Sequence, residues 1–171
     1  MKILVATCLA LFSAASSSIA QTADVGRFRD PDGITADPTG LKRDTTVRRA
    51  FPRYPLDLFR TKITGASVVA FVIDTTGRVE PETATFLNVT RAEFVKAVCD
   101  LLPKLRFEPF LVGDQKMRVL LVQSYSFDNW QALDTTSIHA ASSLAARKQE
   151  EFATKPIKDV VEELAPLPTC H

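Results

Sequence analysis

The sequence has few of the residues from which catalytic and metal centres are built. Only 2 of its 171 residues are histidines, and both, His139 and His171, lie near the C-terminal end. Neither has a Cys, Asp or Glu partner at a spacing typical of metal ligands. The chain also has no G-x-S-x-G element and no glycine-rich phosphate loop. We therefore expect no enzyme activity, catalytic residue, metal, cofactor or small-molecule substrate.

The chain also has no excess of charge of either sign and no apolar run long enough to span a membrane. The formal net charge is +1, which provides no electrostatic footprint for nucleic acid. Lys2 precedes an apolar stretch at 3–12, and small residues follow as far as Ala20. A spanning helix needs about 20 apolar residues, so residues 1–20 are predicted to be a cleaved signal peptide. The alternative is an uncleaved signal anchor.

Cysteine is scarce, and only Cys99 and Cys170 remain after the predicted cleavage. A secreted compartment permits a disulfide between them. Cys99 also lies in an apolar helical pattern, where a buried free thiol is common. The sequence is compatible with either state, a disulfide between the two cysteines or free thiols.

Composition divides the rest of the chain into three parts. Residues 21–50 contain few large apolar residues and two Pro- and Gly-containing turn signals, which indicate a flexible arm. Residues 51–128 hold the alternating and helical apolar patterns of a compact domain. Residues 129–171 are predicted to form a partly helical tail, in which Pro166 and Pro168 end the last apolar run.

The compact part predicts an α+β domain. A β-branched and aromatic run at 67–73, a turn at 74–77 and a second apolar stretch indicate a hairpin. Pro81 places the start of the second strand at an edge or a bulge. Thr90 and Glu93 have the spacing of a capping box before a helix over 91–102, and residues 117–127 form a long strand. The predicted core residues are Val69, Phe71, Ile73, Phe94, Val98, Leu102, Leu105, Phe107, Val119 and Leu121.

Several pieces of the chain occur together in a defined order and spacing. They are Tyr54-Pro55, Gly65 before a strand that ends at 74–79, the helix with Ala97-Val98, the segment 105–109 and the Gly113 turn. In this order and spacing they resemble the C-terminal domain of the TonB family. The resemblance covers about residues 50–128 and implies a two-layer α+β domain, with a small antiparallel sheet of about three strands and a helix packed on one face. The helical C-terminal tail, predicted from its own apolar pattern, lies outside the resemblance.

The resemblance also implies a function. Domains of this family bind an extended peptide of an outer-membrane receptor by strand addition along the last strand. We therefore expect a periplasmic protein-binding module that captures a segment of an envelope or outer-membrane protein, as part of transmembrane transport. The predicted partner-binding residues are Tyr54, Pro55, Lys116, Arg118, Leu120, Val122, Ser124 and Ser126.

Two departures from the family leave alternatives open. Its energy transducers keep a membrane-anchored N-terminal helix with a coupling histidine, whereas here the first histidine is His139. The long Pro-rich spacer is also missing. The alternatives are an inner-membrane-anchored energy transducer that faces the periplasm, and a structural envelope protein whose exposed last strands pair into a homodimer. A tail folded back over the last strand would block peptide binding.

Overall fold

The structure is a computed structural model, and it describes residues 41–44, 50–129 and 135–170, together with the backbone of 34–35. The predicted signal peptide and most of the predicted arm lie outside the described residues. Within the described ranges, no helix is both long enough and apolar enough to cross a bilayer.

The centre of the molecule is a mixed sheet of four strands. Its three long strands are β2 (Gly65–Ile73), β3 (Val79–Val89) and β6 (Val119–Phe127), and a two-residue strand, β1 (Ile34–Thr35), lies at one edge. The order across the sheet is β1-β6-β2-β3. Strand β2 pairs antiparallel with both long neighbours, and Ala70 lies opposite both Thr85 and Val122. Strand β1 runs parallel to the start of β6. The prediction of an α+β fold with a small antiparallel sheet is confirmed.

The β2–β3 hairpin closes on a turn that the sequence specifies. The carboxylate oxygen Oδ1 of Asp74 accepts hydrogen bonds from the backbone N–H groups of Thr76 and Arg78, at 2.7 and 2.9 Å. Gly77 has a φ of +84°, and a Cβ there would lie 2.0 Å from the carbonyl oxygen of Phe107. Only glycine meets both requirements without strain.

Pro81 lies on the edge strand β3 beside a break in the ladder, as the sequence predicted. The β2–β3 register shifts between Ala70 and Val72. At this bulge the Thr83 hydroxyl accepts the Val72 N–H at 2.9 Å and donates to the Glu80 carbonyl at 2.7 Å. The hydroxyl thus bridges the Val72 N–H and the Glu80 carbonyl, which lie opposite each other where the ladder is interrupted.

Helix α2 (Ala92–Cys99) follows β3, and its start differs from the predicted capping box. The residue that caps it is Arg91, and no side-chain hydrogen bond caps the helix. The Thr90 hydroxyl instead accepts the Ala66 N–H at 3.0 Å. The hydroxyl is therefore used to extend the β2–β3 ladder, and the capping-box prediction was wrong. Pro103 lies in a short 3₁₀ turn, Leu102–Lys104, after the helix.

The predicted last strand, 117–127, is interrupted near its start, at Arg118, where a small hairpin ends. Strands β4 (Phe110–Val112) and β5 (Gln115–Met117) pair with each other across Gly113 and form a separate two-stranded sheet. Strand β6 starts only at Val119. Residues 117–127 are therefore not one continuous strand.

One face of the main sheet packs against α2 and the short helix α1 (Leu56–Arg60). Strand periodicity assigns alternate residues of β2 and β6 to this face. Phe94 and Phe127 stack there with ring centroids 4.0 Å apart. All ten predicted core residues are buried, which confirms that list.

The tail covers the opposite face of the sheet. Helix α3 (Thr135–Phe152) and helix α4 (Ile157–Leu164) bury Ala141, Ala145, Phe152, Ile157, Val160 and Leu164 against the even-numbered residues of β2 together with Leu120 and Val122. Helices α3 and α4 thus form a third layer, on the side of the sheet opposite α2. The nine residues of β2 are buried because both of its faces are covered.

The end of the tail reaches the far edge of the sheet. The Phe86 N–H donates to the Pro168 carbonyl at 2.8 Å, and the Cys170 N–H donates to the Ala84 carbonyl at 3.3 Å. Cys170 forms a disulfide with Cys99 of α2, with a Cα–Cα distance of 5.5 Å. Of the two cysteine states that the sequence left open, the structure contains the bonded one.

Candidate functional site: the outer edge of β6

The outer edge of β6 is where the sequence analysis placed peptide binding. In an antiparallel ladder the N–H and C=O groups of alternate residues point to opposite sides of the strand. The Val122 N–H and the Leu120 carbonyl point away from β2, since both are bonded to the side chain of Gln149. Ser124 and Ser126 lie two and four residues beyond Val122, so their backbone groups point to the same outer side.

The first half of this edge is already occupied. Gln149 of α3 is buried, and its Oε1 accepts the Val122 N–H at 2.6 Å while its Nε2 donates to the Leu120 carbonyl at 3.3 Å. One primary amide thereby gives β6 the donor and the acceptor that a neighbouring strand would offer. Strand β1 pairs beside it, with Thr35 opposite Leu120. A peptide could add there only by displacing both.

The second half of the edge is open in the described part of the chain. There the structure shows no partner for the outward backbone groups of Ser124 and Ser126. A groove of about 320 Å³ runs beside them, and its lining residues are Arg43, Ala50, Phe51, Pro52, Gln123, Ser124, Tyr125 and Ser126. Its far wall is the chain segment that precedes α1, so the groove lies between a strand edge and an extended stretch of backbone.

Among the described residues that line the groove, Arg43 is the charged one. Its Nη2 donates to Gln123 Oε1 at 3.4 Å, and the Tyr125 hydroxyl donates to the same oxygen at 3.3 Å. Burial raises the pKa of Tyr125 to about 12, although the nearby Arg43 charge acts to lower it. Tyr125 is therefore a neutral hydrogen-bonding group at physiological pH.

Tyr54 and Pro55 lie near the same end of β6, beside α1, and their part in partner binding stays a prediction. The Tyr54 ring makes edge contacts with Phe59, Phe94 and Phe127, at centroid distances of 5.5–6.1 Å. Its hydroxyl donates to the Ile63 carbonyl. Burial and the charge of Asp128 raise its pKa. Tyr54 therefore anchors α1 to the core, and Pro55 immediately precedes α1.

Four other predicted positions lie outside the open segment. Lys116 is on the outer hairpin, in β5. Arg118 forms a two-pronged ion pair with Glu80 at the start of β3, in which the Nε–Oε1 distance is 2.9 Å. The side chains of Leu120 and Val122 are buried under the tail helices. The structure thus brings only Ser124 and Ser126 together with the groove, and their role in binding stays a prediction.

Sequence reasoning missed Gln149 and Arg43. Gln149 lies on the apolar side of α3 in register with Ala141, Ala145 and Phe152, all of them buried. A polar amide on a buried helical stripe requires a hydrogen-bonding partner, which was the available signal. Arg43 gave no comparable signal, since it lies in the segment 21–50 that was predicted to be a flexible arm.

A comparison with solved structures finds the solution NMR structure of the TonB C-terminal domain from Pseudomonas aeruginosa. The identity is 22%, the TM-score is 0.44, and the similarity covers 58% of this chain and 96% of that one. No protein-family model matches the chain, and no curated protein matches it. The chain is thus similar, over little more than half of its length, to a domain of the family that residues 50–128 resemble.

Proposed function

We propose that this chain is a non-catalytic binding module that captures an extended segment of another envelope protein by strand addition at the second half of β6. The observation that supports the proposal is the pair of outward-facing backbone groups at Ser124 and Ser126, next to a groove along the same strand. Strand addition needs such unpaired main-chain donors and acceptors for affinity, and adjoining pockets for selectivity.

The covering of the other edge positions also supports this assignment. Exposed strand edges promote aggregation, and proteins commonly cover them. Here Gln149 and β1 cover the first half of the β6 edge, and residues 168–170 pair with β3 at the opposite edge of the sheet. An open half of one strand edge, next to a covered half, is the expected arrangement for a docking site of limited length.

The groove dimensions limit what can bind. A volume of about 320 Å³ is at the lower end of the range for ligand pockets. The open part of the edge offers the outward backbone groups of two residues only, Ser124 and Ser126. We therefore propose a short extended peptide, whose backbone bonds to Ser124 and Ser126 and whose side chains contact Phe51 and Pro52.

The test uses the secreted chain and a display library of random twelve-residue peptides. Ser126→Pro removes one outward N–H and leaves the bonds to β2 in place, because the N–H of residue 126 points away from β2. Ser126→Ala removes only the hydroxyl and is the matched control. We expect the wild type and Ser126→Ala to enrich the same peptides, and Ser126→Pro to bind them at least about tenfold more weakly, which corresponds to about 1.4 kcal/mol.

Thermal melting and the retained disulfide would verify that Ser126→Pro is folded. If the folded proline variant captured the peptides as well as the wild type, or if no peptide were enriched, strand addition at this edge would be rejected.

A further inference from the structure

Among the described residues, most of the large exposed apolar side chains lie in one short segment. Five large hydrophobic residues are exposed in the described part of the chain, and three of them lie in residues 51–59: Phe51, Leu56 and Phe59, at 69%, 68% and 43%. Scattered exposed residues of this kind are ordinary, whereas a concentration marks an interaction surface.

The same segment is basic. Arg53, Arg60 and Lys62 are exposed, and the one acidic residue between 51 and 62 is Asp57. Helix α1 places Leu56 and Phe59 one turn apart, on the same side, with Arg60 next to them. Leu58 is buried in the core and holds the helix in place. We call residues 51–62 the α1 patch.

The α1 patch is held rigidly at one end of the molecule. The carbonyl of Phe59 accepts a hydrogen bond from Asn129 Nδ2 at 3.2 Å, and its ring packs edge-on against Tyr54. Asn129 lies two residues beyond the end of β6, and Phe51 lines the groove beside Ser124–Ser126. The backbone of α1 and the Phe59 ring are therefore held against the domain, which limits the backbone ordering needed on docking.

Lys62 adds an independent observation. It has a φ of +57°, and no other non-glycine residue in the described ranges has a positive φ. This position directly follows the C-cap of α1, where glycine or asparagine is usual because other residues are strained in the left-handed region. A lysine at a position where glycine would be unstrained points to a role for its charge or its long side chain.

We infer that the α1 patch docks on the surface of an anionic lipid bilayer. Exposed aromatic and aliphatic side chains insert at the boundary between headgroups and acyl chains, and flanking Arg and Lys residues bind anionic headgroups. Two of the exposed apolar side chains project from a single helical turn, a shape suited to a fluid lipid surface. Such docking would hold the β6 groove close to a membrane, but it does not depend on peptide binding there.

The test is co-sedimentation with large unilamellar vesicles, using the chain secreted to the periplasm with its N-terminus verified by mass spectrometry. Vesicles of phosphatidylethanolamine and phosphatidylglycerol at 3:1 supply anionic lipid, and phosphatidylcholine vesicles serve as the neutral comparison. We expect binding to the anionic vesicles that weakens in high salt. Reversal of charge at Arg60 should reduce the partition coefficient by at least about fivefold, since each basic residue near the surface contributes about that factor.

Matched variants distinguish vesicle binding through the α1 patch from nonspecific adsorption of the protein to vesicles. Leu56→Ser/Phe59→Ser should abolish binding, whereas Leu111→Ser should leave it unchanged, because Leu111 is 55% exposed but lies on the distant β4–β5 hairpin. Lys158→Glu on α4 is the charge control for Arg60→Glu.

The Lys62→Gly variant distinguishes a lost lipid contact from a damaged fold, because damage to the fold would lower the melting temperature. Glycine relieves the left-handed strain and removes the charge, so we expect a higher melting temperature together with weaker vesicle binding. The inference is overturned if anionic vesicles do not bind the chain, or if the α1 patch variants bind as well as Leu111→Ser. It is also overturned if soluble poly-glutamate binds as strongly as the vesicles, which would indicate an acidic protein partner instead.

Discussion

The Gln149 side chain and the Val122 backbone N–H form a 2.6 Å hydrogen bond between a tail helix and the edge of the sheet. The same amide donates to the Leu120 carbonyl, so one glutamine bonds two outward backbone groups of β6, the Val122 N–H and the Leu120 carbonyl. This contact divides the edge into a covered half and an open half, and it determines where a foreign peptide could add.

Replacing Gln149 by methionine should destabilise the protein. The change keeps the side-chain volume close to that of glutamine but leaves a buried N–H and a buried carbonyl without partners, at a cost of about 1–3 kcal/mol per group. Urea unfolding followed by circular dichroism would measure the change in the free energy of unfolding. Arg147→Met, at an exposed position of the same helix, is the control and should change it by less than about 0.5 kcal/mol. Equal stability of the two variants would show that Gln149 does not cap the edge.

Removing the disulfide should loosen the far edge of the sheet. Cys99 and Cys170 are 71 residues apart, and a loop of this length contributes about 4 kcal/mol in the chain-entropy treatment. Cys99→Ser/Cys170→Ser should therefore lower the melting temperature by several degrees and speed hydrogen exchange at the Phe86 amide, which bonds to Pro168. The oxidised wild type is the reference. In a form that starts at Gln21 and so lacks Cys8, free thiols detected by a colorimetric assay would contradict the bonded state.

Stability should decline at alkaline pH because of Tyr125. The pKa of its phenol is raised to about 12 in the folded protein, whereas an unfolded tyrosine titrates near 10. The stabilisation is thus fully present below about pH 10 and is lost as the pH rises towards 12, because the unfolded state releases its proton first. Urea unfolding between pH 9 and 11 would show the decline, and Tyr125→Phe should reduce its slope. An unchanged slope in that variant would assign the decline to other groups.

Gly77→Ala should be far more damaging than Gly113→Ala. Both glycines have a positive φ, so both substitutions introduce strain in the left-handed region. Only at Gly77 does an added Cβ also meet backbone, the Phe107 carbonyl at 2.0 Å, whereas at Gly113 nothing lies within 4 Å. We expect a loss of about 1–2 kcal/mol at Gly113 and a larger loss at Gly77, measured by thermal unfolding. Similar losses would mean that the turn shifts to relieve the contact.

The fold of residues 51–128 was largely predictable because local patterns and tertiary structure agree there. The β-branched and aromatic run of β2, the alternation in β6, the Asp74–Gly77 turn and Pro81 at the bulge each indicated the observed arrangement. Thr90 was misinterpreted because a hydroxyl can satisfy either a helix terminus or a strand, and the choice depends on the position of Ala66. The break at Arg118 likewise depends on Glu80, which is 38 residues away.

The candidate site was harder to predict, because its limits depend on long-range contacts. Alternation along β6 correctly indicated that Leu120, Val122, Ser124 and Ser126 share one side. Whether their backbone groups are free depends on Gln149, and its side chain reaches the edge only after α3 has packed on the sheet. A single sequence shows the strand but not what covers it.

Hydrogen exchange at single amides of β6 tests the divided edge most directly. In the free chain, two-dimensional NMR should show a protected Val122 amide and rapidly exchanging Ser124 and Ser126 amides. Addition of a peptide enriched by the wild type should protect Ser126 and leave Val122 unchanged. The account is contradicted if Ser124 and Ser126 are already protected in the free chain, or if the peptide protects neither of them.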